Sequence, residues 1–139
     1  MTRVDFHVNA PDKLHYCARL VRKIYRAGHK VVVFGEPSAI AEFDRMLWTF
    51  SALEFIPHVG AGDPLAARTP VLLASEACDT PHADVLVNLG ASTPAFFSRF
   101  ERLIEVVDGG DAERASARER WRFYKDRGYA VDSHDLGGT

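Results

Sequence analysis

The period of apolar positions changes several times along the chain, and each change marks an element. "RVDFHV", from Arg3 to Val8, alternates in character and predicts a first strand. Leu14, Cys17, Ala18, Val21, Ile24 and Tyr25 then recur at i, i+3, i+4, i+7, i+10 and i+11, one apolar face of a helix. Pro11 suits an early helical position and Gly28 a C-terminal stop. "KVVVF" follows as a short, wholly apolar strand of the kind buried on both sides in a parallel sheet. Strand, helix and strand in this order require a crossover, normally right-handed.

The unit repeats. "PSAIAEFDRMLW" predicts a helix with Ile40, Phe43 and Leu47 on one side, "EFIPH" a short strand, and "HVGAGDPLAART" a loop punctuated by glycine and proline. "PVLLAS" and "DVLVNLG" are β-rich runs; the intervening "EACDTPHA" is too short for a helical crossover, so an antiparallel pair is expected. "STPAFFSRFERLIEVV" reads as a helix capped by Thr93 before Pro94 and carrying Phe97, Phe100 and Ile104, then a strand near Glu105–Asp108. "DAERASARERWRFYKDRG" is the last long helix and "YAVDSH" a final edge strand. The expected fold is one three-layer α/β domain over residues 1–139, a mainly parallel, Rossmann-like sheet with helices on both faces.

Composition narrows the function classes. The 139 residues suffice for a core without staples, and no apolar run reaches the length of a membrane span. The first residues lack the apolar stretch of a secretory signal, and Cys17 and Cys78 sit in apolar-rich segments. Buried free thiols in a reducing cytoplasm, with no membrane partner, are the expectation. The formal net charge is -2, whereas a protein living by non-specific DNA affinity is normally basic. Any electropositive site must therefore be local.

The candidate chemistry is sparse. "VVVFGEPSAI" places one glycine between strand and helix, without the spacing of a dinucleotide or phosphate loop, and "GAG" at Gly60–Gly62 is a lone fragment. His7, His15, His29, His58, His82 and His134 fall in separate elements without metal-ligand spacing. No nucleophile elbow is present; Asp79, Asp84 and Asp108 lie at strand ends, where they serve equally as turn formers or acid–base groups. Arg19, Arg22, Lys23 and Arg26 oppose the apolar face of the first helix, the pattern of a solvated amphipathic helix. No cofactor or metal is expected.

Two stretches stand out. Trp48, Phe50, Leu53 and Phe55 crowd a helix–strand junction, where they either fill core or leave an interface ridge exposed. In "ARERWRFYKDRG", Arg118, Trp121, Arg122 and Lys125 share one arc of the helix, with Ala117 and Tyr124 beside Trp121 and away from the cations. A hydrophobic strip beside a basic ridge suits a short acidic peptide with an apolar anchor, because arginine grips carboxylates bidentately. The alternative is a helix whose aromatics face the core while its arginines snorkel.

The chain resembles the chi subunits of bacterial DNA polymerase III holoenzyme along essentially its whole length. The likeness is carried by "VDFHV" with "RLVRKIYRAGHKVVV", by "FDRMLWTFSALEFIPH", "DVLVNLG" and "FERLIEVVD", and most specifically by "ARERWRFYKDRGY". It implies a clamp-loader accessory subunit without catalytic activity of its own or a nucleotide site, acting in DNA replication within a DNA-directed DNA polymerase. One surface would bind the acidic, Phe-terminated tail of single-stranded DNA-binding protein (SSB), the family's tail-binding residues matching Arg118, Trp121, Arg122 and Lys125. Another, matching Trp48 and Phe55, would bind the psi subunit where present. DNA is then met indirectly through SSB, and a helicase is a further partner that the resemblance leaves open. The rival readings are a direct single-stranded nucleic-acid-binding module and a small α/β nucleotide-binding enzyme.

Overall fold

The computed structural model describes residues 1–50 and 55–137. Seven strands form one sheet: β1 (Arg3–Ala10), β2 (Val31–Phe34), β3 (His58–Gly60), β4 (Val71–Ala74), β5 (Val85–Asn88), β6 (Arg102–Asp108) and β7 (Val131–Asp135). Their spatial order is β3-β4-β2-β5-β6-β1-β7, and every pairing is parallel. Helices α1 (Lys13–Arg26) and α2 (Pro37–Thr49) cover one face, and α3 (Asp111–Asp126) the other.

Alternation along the apolar strands assigns each side chain to a layer. Val31 and Val33, Val71 and Leu73, Val85 and Val87, and Ile104 and Val106 pack with Cys17, Val21, Phe43 and Leu47 beneath α1 and α2. Val32, Leu72, Leu86, Leu103, Val4 and Phe6 turn the other way, toward Ala117 and Tyr124 of α3. Because both faces are covered, the central strands β2 and β4 are apolar throughout, as in other parallel sheets.

Several sequence expectations are corrected. β4 and β5 are parallel and are not neighbours: Val31 of β2 lies between Val71 and Val85. The linker at 75–84 need only step over one strand, about 10 Å, and return along a four-residue strand, about 13 Å. An extended segment covers that distance without a helix. The helix expected before Glu105 is instead a short 3-10 turn, Phe97–Arg99, followed by β6 from Arg102. The Phe97/Phe100 spacing is that of the 3-10 turn, and Phe96, Phe97 and Phe100 are all buried. Ile104 belongs to a strand covered on both faces, where an apolar run carries no period to distinguish it from a buried helix.

The remaining differences are smaller. The short strand expected over "EFIPH" begins only at its last residue, His58, as β3, and the loop expected from His58 contains β3 and a 3-10 turn at Ala66–Arg68. Pro11 precedes the helix; Asp12 is the cap, accepting the His15 N–H at 3.2 Å. Cys17 is buried as expected, but Cys78 is exposed. Gly28 ends α1 with φ +85°, a conformation that glycine adopts without strain.

One edge of the sheet carries a titratable cluster. His7 of β1 is buried with its Nδ1 2.5 Å from the Tyr16 hydroxyl of α1 and its ring 5.1 Å from that of His134 on β7. Burial, then the neighbouring His134, pushes the His7 pKa down to about 4; Asp5 opposes this, while Arg102 and Lys23 add to it. Folded His7 is therefore neutral across a range in which the unfolded chain binds a proton. Stability should fall as pH drops from about 6.5 toward 4 and level off below. Urea unfolding at several pH values checks this, with His7→Gln expected to flatten the slope; an unchanged slope in that variant assigns the dependence to another group.

Candidate functional site

Helix α3 starts from Gly110 as its N-cap, carries Asp111 and Glu113 in its first turn and Lys125 in its last, and so complements the helix dipole at both ends. Its inward face is partly polar. Glu105, wholly buried in β6, accepts hydrogen bonds from Tyr124 Oη at 2.7 Å, Asn88 Nδ2 at 2.9 Å and Arg120 Nε at 3.1 Å. Arg120 Nη1 also donates to Ala91 O and Ser116 Oγ, each at 2.7 Å. Burial raises the Glu105 carboxyl above the ordinary carboxylate range, and the Arg120 charge and the hydrogen bonds from Tyr124, Asn88 and Arg120 work against that rise. Burial likewise raises the Tyr124 phenol, so it stays a donor to the carboxylate.

This network sets the rotation of α3 and hence which residues look outward. A groove of about 410 Å³ runs between α3 and the β1/β7 edge. Arg114, Arg118 and Trp121 form the α3 wall, Phe6, Val8 and Val107 the apolar floor, and Ser133 with Asp135 the far wall. The Trp121 ring stands 5.3 Å from that of Phe6, leaving an indole half-buried at the groove. Asn9, in the left-handed region at φ +58°, breaks the β1 register and donates from Nδ2 to Asp135 Oδ1 at 2.9 Å. Bonds from Asn9 and the Gly137 N–H hold the Asp135 carboxyl below its usual range. The groove is thus cationic on its α3 wall and anionic on its far wall, which orients any charged ligand.

The sequence-predicted residues divide on this geometry. Arg118 and Trp121 line the groove, while Arg122 and Lys125 are exposed on α3 outside its lining. Lys125 Nζ lies 5.9 Å from the Trp121 ring centroid, so it neighbours the groove through that ring. Arg114 is a lining residue that sequence reasoning missed; its place four residues before Arg118 was the available signal. Among the described residues, Arg114, Arg118 and Arg122 have no ion pair. Arg120, from the same basic stretch, is consumed by Glu105.

A second feature lies where α2 meets β3. Trp48 and Phe55 are 59% and 55% exposed, with ring centroids 5.2 Å apart. His58 supports them, its ring 4.9 Å from Trp48, its Nε2 2.9 Å from Asp44 Oδ1 and its Nδ1 2.7 Å from Ile56 O. Phe50 turns toward the core and sits beneath Arg22 at 4.9 Å, so the crowded junction both fills core and leaves Trp48 and Phe55 exposed. Leu53 lies outside the described residues. Gly35, after β2, has a packing reason: a Cβ there would come 3.2 Å from Leu89 Cβ. Among the described residues no group of three His, Cys, Asp or Glu side chains is placed to hold a metal ion, and no helix is long and apolar enough to cross a membrane.

Fold and surface together define a Rossmann-like α/β domain with a cation-walled groove on one layer and an aromatic patch on the other. Residues 1–132 match the family described as DNA polymerase III chi subunit, HolC. The chain is 36% identical over 141 aligned positions to the DNA polymerase III subunit chi of Pseudomonas aeruginosa, covering 98% of both chains. It is 31% identical to that of Haemophilus influenzae, covering 85% of this chain and 83% of the relative, and 28% identical to that of Escherichia coli, covering 78% and 76%. The chain belongs to the DNA polymerase III chi subunit family, whose members are accessory subunits in DNA replication.

The buried network supplies a test of how α3 is held. Glu105→Ala, which strands Arg120 without its counter-charge, should destabilise the fold by about 3–5 kcal/mol in urea unfolding. Tyr124→Phe should cost about 1.5–3 kcal/mol, the range for a hydrogen bond to a charged group. Near-additivity of the two in the double variant would show that they do not act through one network.

Proposed function

We propose that this chain is a non-catalytic adaptor that binds the acidic C-terminal tail of SSB and tethers it, through psi, to the clamp loader. The observation that carries the reading is the groove: an apolar floor beside Trp121, flanked by Arg114 and Arg118, which make no ion pair within 4.0 Å among the described residues. An acidic peptide ending in phenylalanine would seat its ring against Phe6, Val8 and Trp121. Arg118 would take the terminal carboxylate, with Arg114 the second cation in the groove. Arg122 and Lys125, outside the lining, would serve acidic residues farther up the tail. Asp135 on the opposite wall disfavours the reversed orientation, because a carboxylate placed there meets a like charge.

Psi would dock on Trp48 and Phe55. Paired exposed aromatics make strong interface anchors, and their support by His58 reduces the ordering that binding must impose. Because α2 and α3 cover opposite faces of the sheet, both partners can be held at once. The site of action under this reading is the cytoplasm.

Fluorescence anisotropy with a labelled acidic peptide ending in Ile-Pro-Phe, beside the same peptide without its final Phe, tests the groove. Binding of the first alone is expected; equal, salt-erased binding of both would reduce α3 to a solvated basic helix. Arg118→Ala should weaken the complex by about 1.5–3 kcal/mol, and an unchanged affinity removes Arg118 from the site. Phe55→Ala should leave peptide binding intact while weakening psi association. Loss of both with an unaltered circular dichroism spectrum would mean that the two surfaces are not separate.

A further inference from the structure

Helix α1 carries five cations, Lys13, Arg19, Arg22, Lys23 and Arg26, and no acidic residue. Since the whole chain has a formal net charge of -2, five positive charges on α1 leave -7 on the rest, so charge is strongly segregated. Lys13 is occupied: its Nζ donates to Leu89 O at 2.7 Å and pairs with Glu113. Arg19, Arg22 and Lys23 make no ion pair among the described residues. Arg19 instead lies 5.8 Å from the Tyr16 ring centroid and Arg22 4.9 Å from that of Phe50.

Two features go beyond an ordinary solvated face. The helix dipole favours cations near a C-terminus, which accounts for Lys23 and Arg26, but its influence fades beyond the last turn and does not reach Arg19. Like charges three and four residues apart repel, and α1 contains no acid to relieve that repulsion. A polyanion laid along the helix would relieve it. The half-buried Tyr16, Tyr25 and Phe50 interleave aromatic surface with these cations, the combination that suits a flexible single strand with accessible bases. Membership of a replication family makes DNA the strand at hand.

We infer that the outer face of α1, centred on Arg19, Arg22 and Lys23, contacts the phosphate backbone of single-stranded DNA directly. The surface lies on the sheet face opposite the α3 groove, so a strand can be held there while the groove is filled. The contact is weak and electrostatic. It would keep the subunit against the strand that its partner coats, without sequence preference.

The experiment titrates a fluorescein-labelled oligo(dT) of about 20 nucleotides, long enough to cover such a face, with the full chain at several salt concentrations. Neutralising three phosphates on a single strand predicts a slope of log K against log salt of about -2, with a dissociation constant of about 10⁻⁴ to 10⁻⁶ M. The triple variant Arg19→Gln, Arg22→Gln, Lys23→Gln should bind at least about tenfold more weakly with a slope near zero, while Arg118→Ala binds like the natural protein. If the triple variant is unfolded by circular dichroism, Arg19→Gln with Lys23→Gln, both at exposed positions, carries the test, its slope expected near -0.7. Absence of binding at low salt, retention of the full slope in the α1 variants, or loss only in Arg118→Ala would overturn the inference. Equal competition by poly-glutamate would overturn it too, marking a generic site for acidic polypeptide.

Discussion

The buried carboxylate of Glu105 is the constraint on which the outer layer depends. A charge taken wholly out of water is tolerated only when its oxygens are occupied, and here Tyr124, Asn88 and Arg120 occupy them. Those donors come from α3 and β5, so satisfying one side chain of β6 fixes the distance, register and rotation of α3 over the sheet. An apolar interface alone would allow α3 to slide or turn with little loss, because hydrophobic burial is non-directional. The network is not tuned for maximal stability: Arg120 Nη2 is buried without a partner among the described residues. Its contribution is orientation, and orientation is what opens a groove between Trp121 and β7.

From that fixed helix the division of surfaces follows. Ala117, Arg120 and Tyr124 point inward, so Arg114, Arg118 and Trp121 line the groove and Arg122 and Lys125 point to solvent. On the opposite layer, α1 and α2 bury Cys17, Val21, Phe43 and Leu47 and leave outside a basic face and an aromatic pair. A parallel sheet covered on both faces thus presents separate surfaces, a cation-walled groove on one layer and a basic face beside an aromatic pair on the other, joined through a stiff core. At the strand ends Gly35 serves packing against Leu89.

The pattern of apolar positions by itself determined the α/β class, three of the four helices read from it, the buried central strands and the edge placement of β7, because period and punctuation are local properties. It also isolated the two stretches that carry the surfaces, since tryptophans among clustered aromatics and arginines are compositional anomalies visible without coordinates. Only the tertiary structure decided that β4 and β5 flank β2 as parallel strands, for strand neighbours depend on loop reach and pairing across the whole sheet. It alone turned the run before Glu105 into a 3-10 turn and strand, because a segment buried on both faces has no period to read. In one dimension the helical arc grouped Arg118 with Arg122 and Lys125 and left Arg114 out. Glu105, fifteen residues before Arg120 in sequence and 3.1 Å from it in space, withdrew Arg120 to the core, while the facing β1/β7 edge selected Arg114 and Arg118 for the groove. Side-chain roles of this kind are settled by what stands opposite, and that is information a single helix does not contain.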